Sequence, residues 1–220
     1  MEITEKFPGV YFVDRLLATV NLAPGYKVYG ERLIADGERE FRVWDLYRSK
    51  LAGAIKKGLP SLPIKPGSKV LYLGAASGTT ASHVSDIVGK EGEVYCVEFA
   101  QRSMRDLLSV CNRRLNMLPI HGDARAPKQY SEVEHADVIY QDVAQPNQTE
   151  ILLLNSREFL KKGGFAMLAL KSQSIDVTAN KYRIFEQAER ELGSQFEILF
   201  SKELEPYDKD HLFLLLRYLG

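Results

Sequence analysis

The stretch Val70-Leu71-Tyr72-Leu73-Gly74-Ala75-Ala76-Ser77-Gly78-Thr79-Thr80 decides how the chain is read. Its apolar run VLYL breaks into small residues and then into TTASHVSDIV, whose apolar residues recur at helical spacing. Strand, tight turn, helix is the order this predicts. Small residues at such a turn let backbone approach a ligand, and the helix that follows offers free N–H groups. Gly74, Ala75 and Gly78 supply that smallness.

Working outward, strands and helices alternate. Strands are expected near 70–74, 93–98, 117–121, 136–141 and 164–170, and helices near 79–89, 101–115, 147–161 and 180–192. Such alternation implies a parallel sheet wound with helices on both faces. The ending QFEILFSKELEPYDKDHLFLLLRYLG instead gives two strands joined by a polar connector, an antiparallel hairpin at the sheet edge. Before the turn, residues 1–47 show short runs, GVYFVD, RLLATVNL and ERLIADGEREFRVWD, with Asp36-Gly37 placed as a hairpin turn. This reads as a small N-terminal β domain, followed by a main domain over 48–220 that opens with the helical pattern RSKLAGAIKKGL and a Pro-rich connector.

Length and composition bound the rest. With 220 residues, 45% of them hydrophobic, the chain can bury a sizeable core. No apolar run is long enough to span a bilayer and the N-terminus lacks signal-peptide character, so a soluble, cytoplasmic protein with no membrane partner is expected. Cys96 and Cys111 carry no metal-ligand spacing and read as reduced packing residues. Lys+Arg and Asp+Glu are both 29, which argues against a protein that grips nucleic acid through overall charge, though not against one with a local basic patch.

The turn lacks the third glycine of G-x-G-x-x-G, so a dinucleotide is disfavoured. A Gly74-x-Ala76-x-Gly78 turn in a seven-stranded sheet with a terminal hairpin resembles an S-adenosylmethionine site. Three acids support a nucleoside ligand. Glu98 ends EVYCVE, where a carboxylate accepts from both ribose hydroxyls; Asp123 follows MLPIHG and is placed for the adenine amino group; Asp142 follows ADVIYQ. All three sit at carboxyl ends of strands, where open α/β sheets bind ligands. Lys171 ends the apolar run GFAMLAL and emerges in the same crevice, and Lys50 begins the helix before the first strand. Two lysines about one aspartate suit methyl transfer to a ribose 2′-hydroxyl. Asp142 either holds a lysine amine or takes the proton itself, while one ammonium favours a neutral, basic form of the other.

The blocks RVWDLYRSKLAGAI, IKPGSKVLYLGAASGTTASHVSDIVG, VYCVEFAQRSMRDLL, DARAP, DVIYQDVAQPNQTEIL, LKKGGFAMLALKSQSIDVT and LEPYDKDH are similar, in order, to the signatures of the fibrillarin family in its archaeal form. The resemblance covers about residues 40–211. It implies an S-adenosylmethionine-dependent RNA ribose 2′-O-methyltransferase acting on rRNA or tRNA within a box C/D guide ribonucleoprotein. Its partners would be the guide RNA, the target RNA, a Nop-family scaffold protein and, indirectly, a kink-turn-binding ribosomal protein. It implies cofactor contacts from Thr79, Thr80, Glu98, Phe99, Asp123, Ala124, Asp142, Val143, Ala144 and Gln145. Catalytic roles fall to Lys50, Asp142 and Lys171, with Asp210 or His211 as a fourth member and no metal.

Two departures stand out. The family's WNPxRSK reads WDLYRSK here, altering the lead into Lys50, and no Gly/Arg-rich N-terminal arm is present. A stand-alone RNA 2′-O-methyltransferase and a non-catalytic subunit of the same fold are the competing readings, and a nicotinamide oxidoreductase is the last.

Overall fold

A computed structural model describes all 220 residues. Its main sheet has seven strands: β6 (Lys69–Leu73), β7 (Glu93–Glu98), β8 (Met117–His121), β9 (Ala136–Gln141), β10 (Leu160–Lys171), β11 (Phe196–Glu203) and β12 (His211–Tyr218). Their spatial order is β11-β12-β10-β9-β6-β7-β8. β8, β7, β6, β9 and β10 run parallel, and β12 pairs antiparallel with both β10 and β11. The parallel strands read as apolar runs because both faces of the sheet are covered. One core lies on each side: Tyr72, Cys96, Tyr140, Met167 and Phe213 face one, Leu71, Val97, Ile139, Leu168 and Leu214 the other.

The helices are α1 (Lys50–Lys56), α2 (Thr79–Val88), α3 (Gln101–Cys111), α4 (Gln148–Phe159), the single-turn α5 (Ser172–Ile175) and α6 (Lys181–Leu192). Expected and observed elements correspond, with two shifts. The helix placed at 101–115 stops at Cys111, and β10 begins at Leu160 rather than 164, so α4 passes directly into it. Cys96 and Cys111 are buried, free thiols. No helix is long and apolar enough to cross a membrane.

The N-terminal region forms a separate five-stranded antiparallel sheet, in order β1 (Ile3–Phe7), β2 (Val10–Val13), β3 (Leu16–Val20), β5 (Arg39–Val43), β4 (Leu33–Asp36). Asp36 pairs with Arg39, so Asp36-Gly37 does lie at the β4–β5 turn. This sheet packs on α2 through a buried polar network. Asp86 accepts hydrogen bonds from Thr19 and Arg42 at 2.7 and 2.8 Å and pairs with Arg114, while Glu31 takes the remaining side of Arg42. Two guanidinium groups thus meet two carboxylates, which offsets the cost of burying each charge. His83 completes the contact, stacked on Trp44 with ring centroids 4.7 Å apart and hydrogen-bonded to Thr19 and Tyr29. Burial and the nearby Arg42 and Arg114 hold its pKa well below the usual histidine range.

Candidate active site

The sheet reverses its winding between β6 and β9, and the crevice opens at their carboxyl ends, where a doubly wound sheet binds ligands. Asp142 donates its backbone N–H to Leu73 at 2.9 Å, drawing the two strand ends together. Gly74 leaves β6 with φ +82°, and a Cβ on it would lie 2.5 Å from the Asp142 carbonyl oxygen. Only glycine keeps this junction tight.

A cavity of about 300 Å³ lies above it, walled by Gly74, Ala76, Val97, Glu98, Phe99, Ser103, Gly122, Ala124 and Asp142 to Gln145. The Glu98 carboxylate accepts from the backbone N–H groups of Ala76 at 2.8 Å and Ala100 at 2.7 Å. That fixes its orientation and leaves further lone pairs for hydroxyl donors. Gln145 Oε1 is buried without a hydrogen-bond partner, an acceptor in want of a donor. Phe99 presents an exposed ring. Glycine-lined backbone, a fixed carboxylate and an orphaned acceptor fit a nucleoside bearing a small cationic or zwitterionic tail.

Not every sequence-derived position reaches this wall. The Asp123 carboxylate is taken by Arg125, in a bidentate contact of 2.6 to 3.1 Å, and by Gln145 at 3.3 Å; Arg125 foremost holds its pKa below the usual carboxylate range. Ala75 is buried and donates to Val97, and Gly78 forms the left-handed N-cap of α2. Thr79 and Thr80 lie in the first turn of α2 outside the cavity wall. The Thr80 hydroxyl instead donates to Ser49 Oγ at 3.0 Å, and Ser49 caps α1 by accepting from Ala52. The turn around Gly78 therefore positions the helix that carries Lys50.

Beside the cavity stands the cationic group of residues. Lys50 Nζ donates to Asp142 Oδ2 at 2.9 Å. Burial pulls the Lys50 ammonium down, but Asp142 and Asp208 outweigh it and its pKa is raised. This corrects the expectation that one of the two lysines near Asp142 is held neutral, as far as Lys50 is concerned. Lys171 and His211 are register partners on β10 and β12, so they share a sheet face with Met167, Ala169 and Phe213. That is the face on which α1 packs. Lys171 makes no ion pair, whereas His211 Nδ1 lies 2.9 Å from Asp208 Oδ1.

In DKDH the structure moves one role. Asp210, with φ +59°, turns its carboxylate to Gln173 at 2.7 Å and does not join the group. Asp208, absent from the sequence reading, stands 3.7 Å from Lys50 and bridges it to His211. Burial raises its pKa, but His211 and Lys50 prevail and lower it. Ala76, Val97, Ser103 and Gly122 are further additions to the wall. The presence of two acids, not one, in DKDH was the signal available for Asp208.

Sheet order, strand-end cavity and terminal hairpin define a seven-stranded Rossmann-like methyltransferase fold. Comparison with known proteins carries this further. The fibrillarin family model matches residues 1–219. A fibrillarin-like rRNA/tRNA 2′-O-methyltransferase of Pyrococcus furiosus is 51% identical over 218 residues, covering 96% of either chain. The crystal structure of Aeropyrum pernix fibrillarin with natively bound S-adenosyl-L-methionine superposes with a TM-score of 0.88 at 45% identity, covering 98% of this chain and 99% of that one. A fibrillarin/Nop5p complex gives 0.89 at 41% identity over 98% and 100%. The chain belongs to the fibrillarin family.

Proposed function

We propose that this protein transfers a methyl group from S-adenosylmethionine to the 2′-hydroxyl of a ribose in rRNA or tRNA, as the catalytic subunit of a cytoplasmic box C/D guide particle. One observation carries the reading: Asp142 both walls the cavity and holds Lys50, so the nucleoside site and the cationic group meet at one carboxylate. The cofactor, when bound, supplies a methyl on a sulfonium sulfur that is displaced by the ribose oxygen. Glu98 would receive the nucleoside ribose hydroxyls, the Gly122–Ala124 segment its base, and the Asp142–Gln145 segment the amino-acid tail.

The remaining residues act on the substrate. A 2′-hydroxyl is a weak nucleophile, so it must be held in line and relieved of its proton. Lys50, kept as an ammonium by two carboxylates, fixes Asp142. Lys171 has no carboxylate partner and is the group free to meet the 2′-hydroxyl, its amine taking the hydroxyl proton as the O–C bond forms and the C–S bond of the cofactor breaks. His211 stands opposite Lys171 on the adjacent strand.

The relatives lend the partners: the Pyrococcus furiosus protein carries rRNA and tRNA in its name, and the fibrillarin/Nop5p complex is that of a family member with a Nop protein. With equal numbers of acidic and basic residues, this chain is suited to letting a scaffold protein and guide RNA present the target. The test is Lys171→Ala. Methyl transfer is expected to fall at least 10²-fold while cofactor affinity holds within about twofold. Equal loss of both would make Lys171 a support of the fold or cavity and remove it from the chemistry.

A further inference from the structure

A second concavity, of about 550 Å³, lies between the β2–β3 turn, the strand β4 entry and the connector into α1. We propose that it holds the sugar–phosphate backbone of the RNA strand whose ribose enters the active site, an inference that rests on the RNA methyltransferase reading above.

Charge comes first. Arg15, Arg32 and Arg48 all line this groove and all are exposed. Arg15 and Arg32 make no ion pair, and Arg48 approaches Asp45 only at 4.0 Å. Of the two carboxylates in the wall, Glu31 is consumed internally, accepting from the Val28 and Tyr29 backbone N–H groups and from Arg42. Three cations therefore face one remaining acid, Asp45, in a chain whose formal net charge is zero. Such a local excess is what a polyphosphate backbone recognises.

The groove is also built and aimed. Arg15 and its neighbour Asp14 both take positive φ, 71° and 45°, strained for residues other than glycine. The turn is held by reciprocal hydrogen bonds between Asp14 and Glu2. At the other end Tyr47, 69% exposed, meets Tyr207 edge-on with centroids 5.4 Å apart. Tyr47 lies three residues before Lys50, and Tyr207 immediately precedes Asp208. The aromatic pair joins the groove to the catalytic group, and the exposed Tyr47 ring beside arginines suits stacking of an unpaired nucleotide. The arginines bind phosphates, the tyrosines a base or sugar, and the ribose beyond them reaches Lys171.

The test uses the full-length protein and a short fluorescein-labelled single-stranded RNA, followed by anisotropy across a salt series, with methyl transfer read in parallel. The double variant R15E/R32E should weaken RNA binding about tenfold or more and reduce the salt slope by about 1.4, as expected for two lost phosphate contacts on a single strand. R15K/R32K should restore most of both, R190E on the distant α6 should change neither, and S-adenosylmethionine affinity should be unaffected throughout. Wild-type affinity and slope in R15E/R32E would overturn the proposal. So would an equal effect from R190E, or loss of binding to polyglutamate without loss of RNA. RNA binding that depends on these arginines, in a wild-type protein that transfers no methyl even when assembled with guide RNA and scaffold protein, would uphold the groove and overturn the function proposed above.

Discussion

Asp208 shows how much one side chain organises here. It touches Lys50 and His211 at once and supplies the second of the two negative charges that keep Lys50 protonated. Asp208→Asn removes that charge while keeping the shape. Less negative potential favours the neutral amine, so the Lys50 pKa moves down. The alkaline limb of the pH–rate profile should then shift to lower pH, with kcat reduced and cofactor affinity retained, and Asp208→Glu should restore the limb. An unmoved limb would mean that Asp208 only braces the loop. In the sequence, Asp142 and Lys171 stand out as strand ends and Lys50 as the start of a helix, whereas Asp210 and His211 enter only through the family resemblance. Asp208 is missed because the residue's meaning lies in a contact with Lys50, over 150 positions away in the chain, and local pattern carries no trace of such a pairing.

Among the elements, the parallel strands were legible because burial on both faces leaves a nearly continuous apolar run. β1 was not: ITEKF has exposed residues through its middle, and its edge position asks little of its composition. The β2–β3 turn was equally hidden, since Asp14 and Arg15 adopt the positive φ values that ordinarily advertise themselves as Asn-Gly or Gly-Gly. Nor does the sequence reveal that α2 is buried against the N-terminal sheet through charged groups. That contact makes a measurable prediction. His83 has a folded pKa well below its unfolded value near 6.5, because burial and two guanidinium groups oppose its charge. The unfolded state therefore binds the extra proton, and stability is lost as pH falls below about 6.5, by up to about 1.4 kcal/mol per pH unit. Urea midpoints measured between pH 7.5 and 5.5 should show this slope in the native protein and lose most of it in His83→Gln. A slope identical in both would place the acid sensitivity elsewhere.

At the scale of the molecule, two sheets share one core around α1 and α2, and the cofactor turn reaches the catalytic helix through Thr80 and Ser49. The long signature blocks made the family legible from sequence, and the alternation of strands and helices made the fold so. Charge distribution did not follow: a net charge of zero conceals a groove of three arginines drawn from separate elements. A chain with this balance relies on geometry and partners, not on bulk attraction, to select RNA. The measurement that bears most directly on the account is transfer of labelled methyl from S-adenosylmethionine to target RNA, with and without guide RNA and scaffold protein, and with the product mapped to base or ribose. The account predicts label on the ribose 2′-oxygen of the guide-paired nucleotide, dependent on the assembled particle and absent with Lys171→Ala. Label on a base, or no label in a particle that is active with another family member, would contradict it.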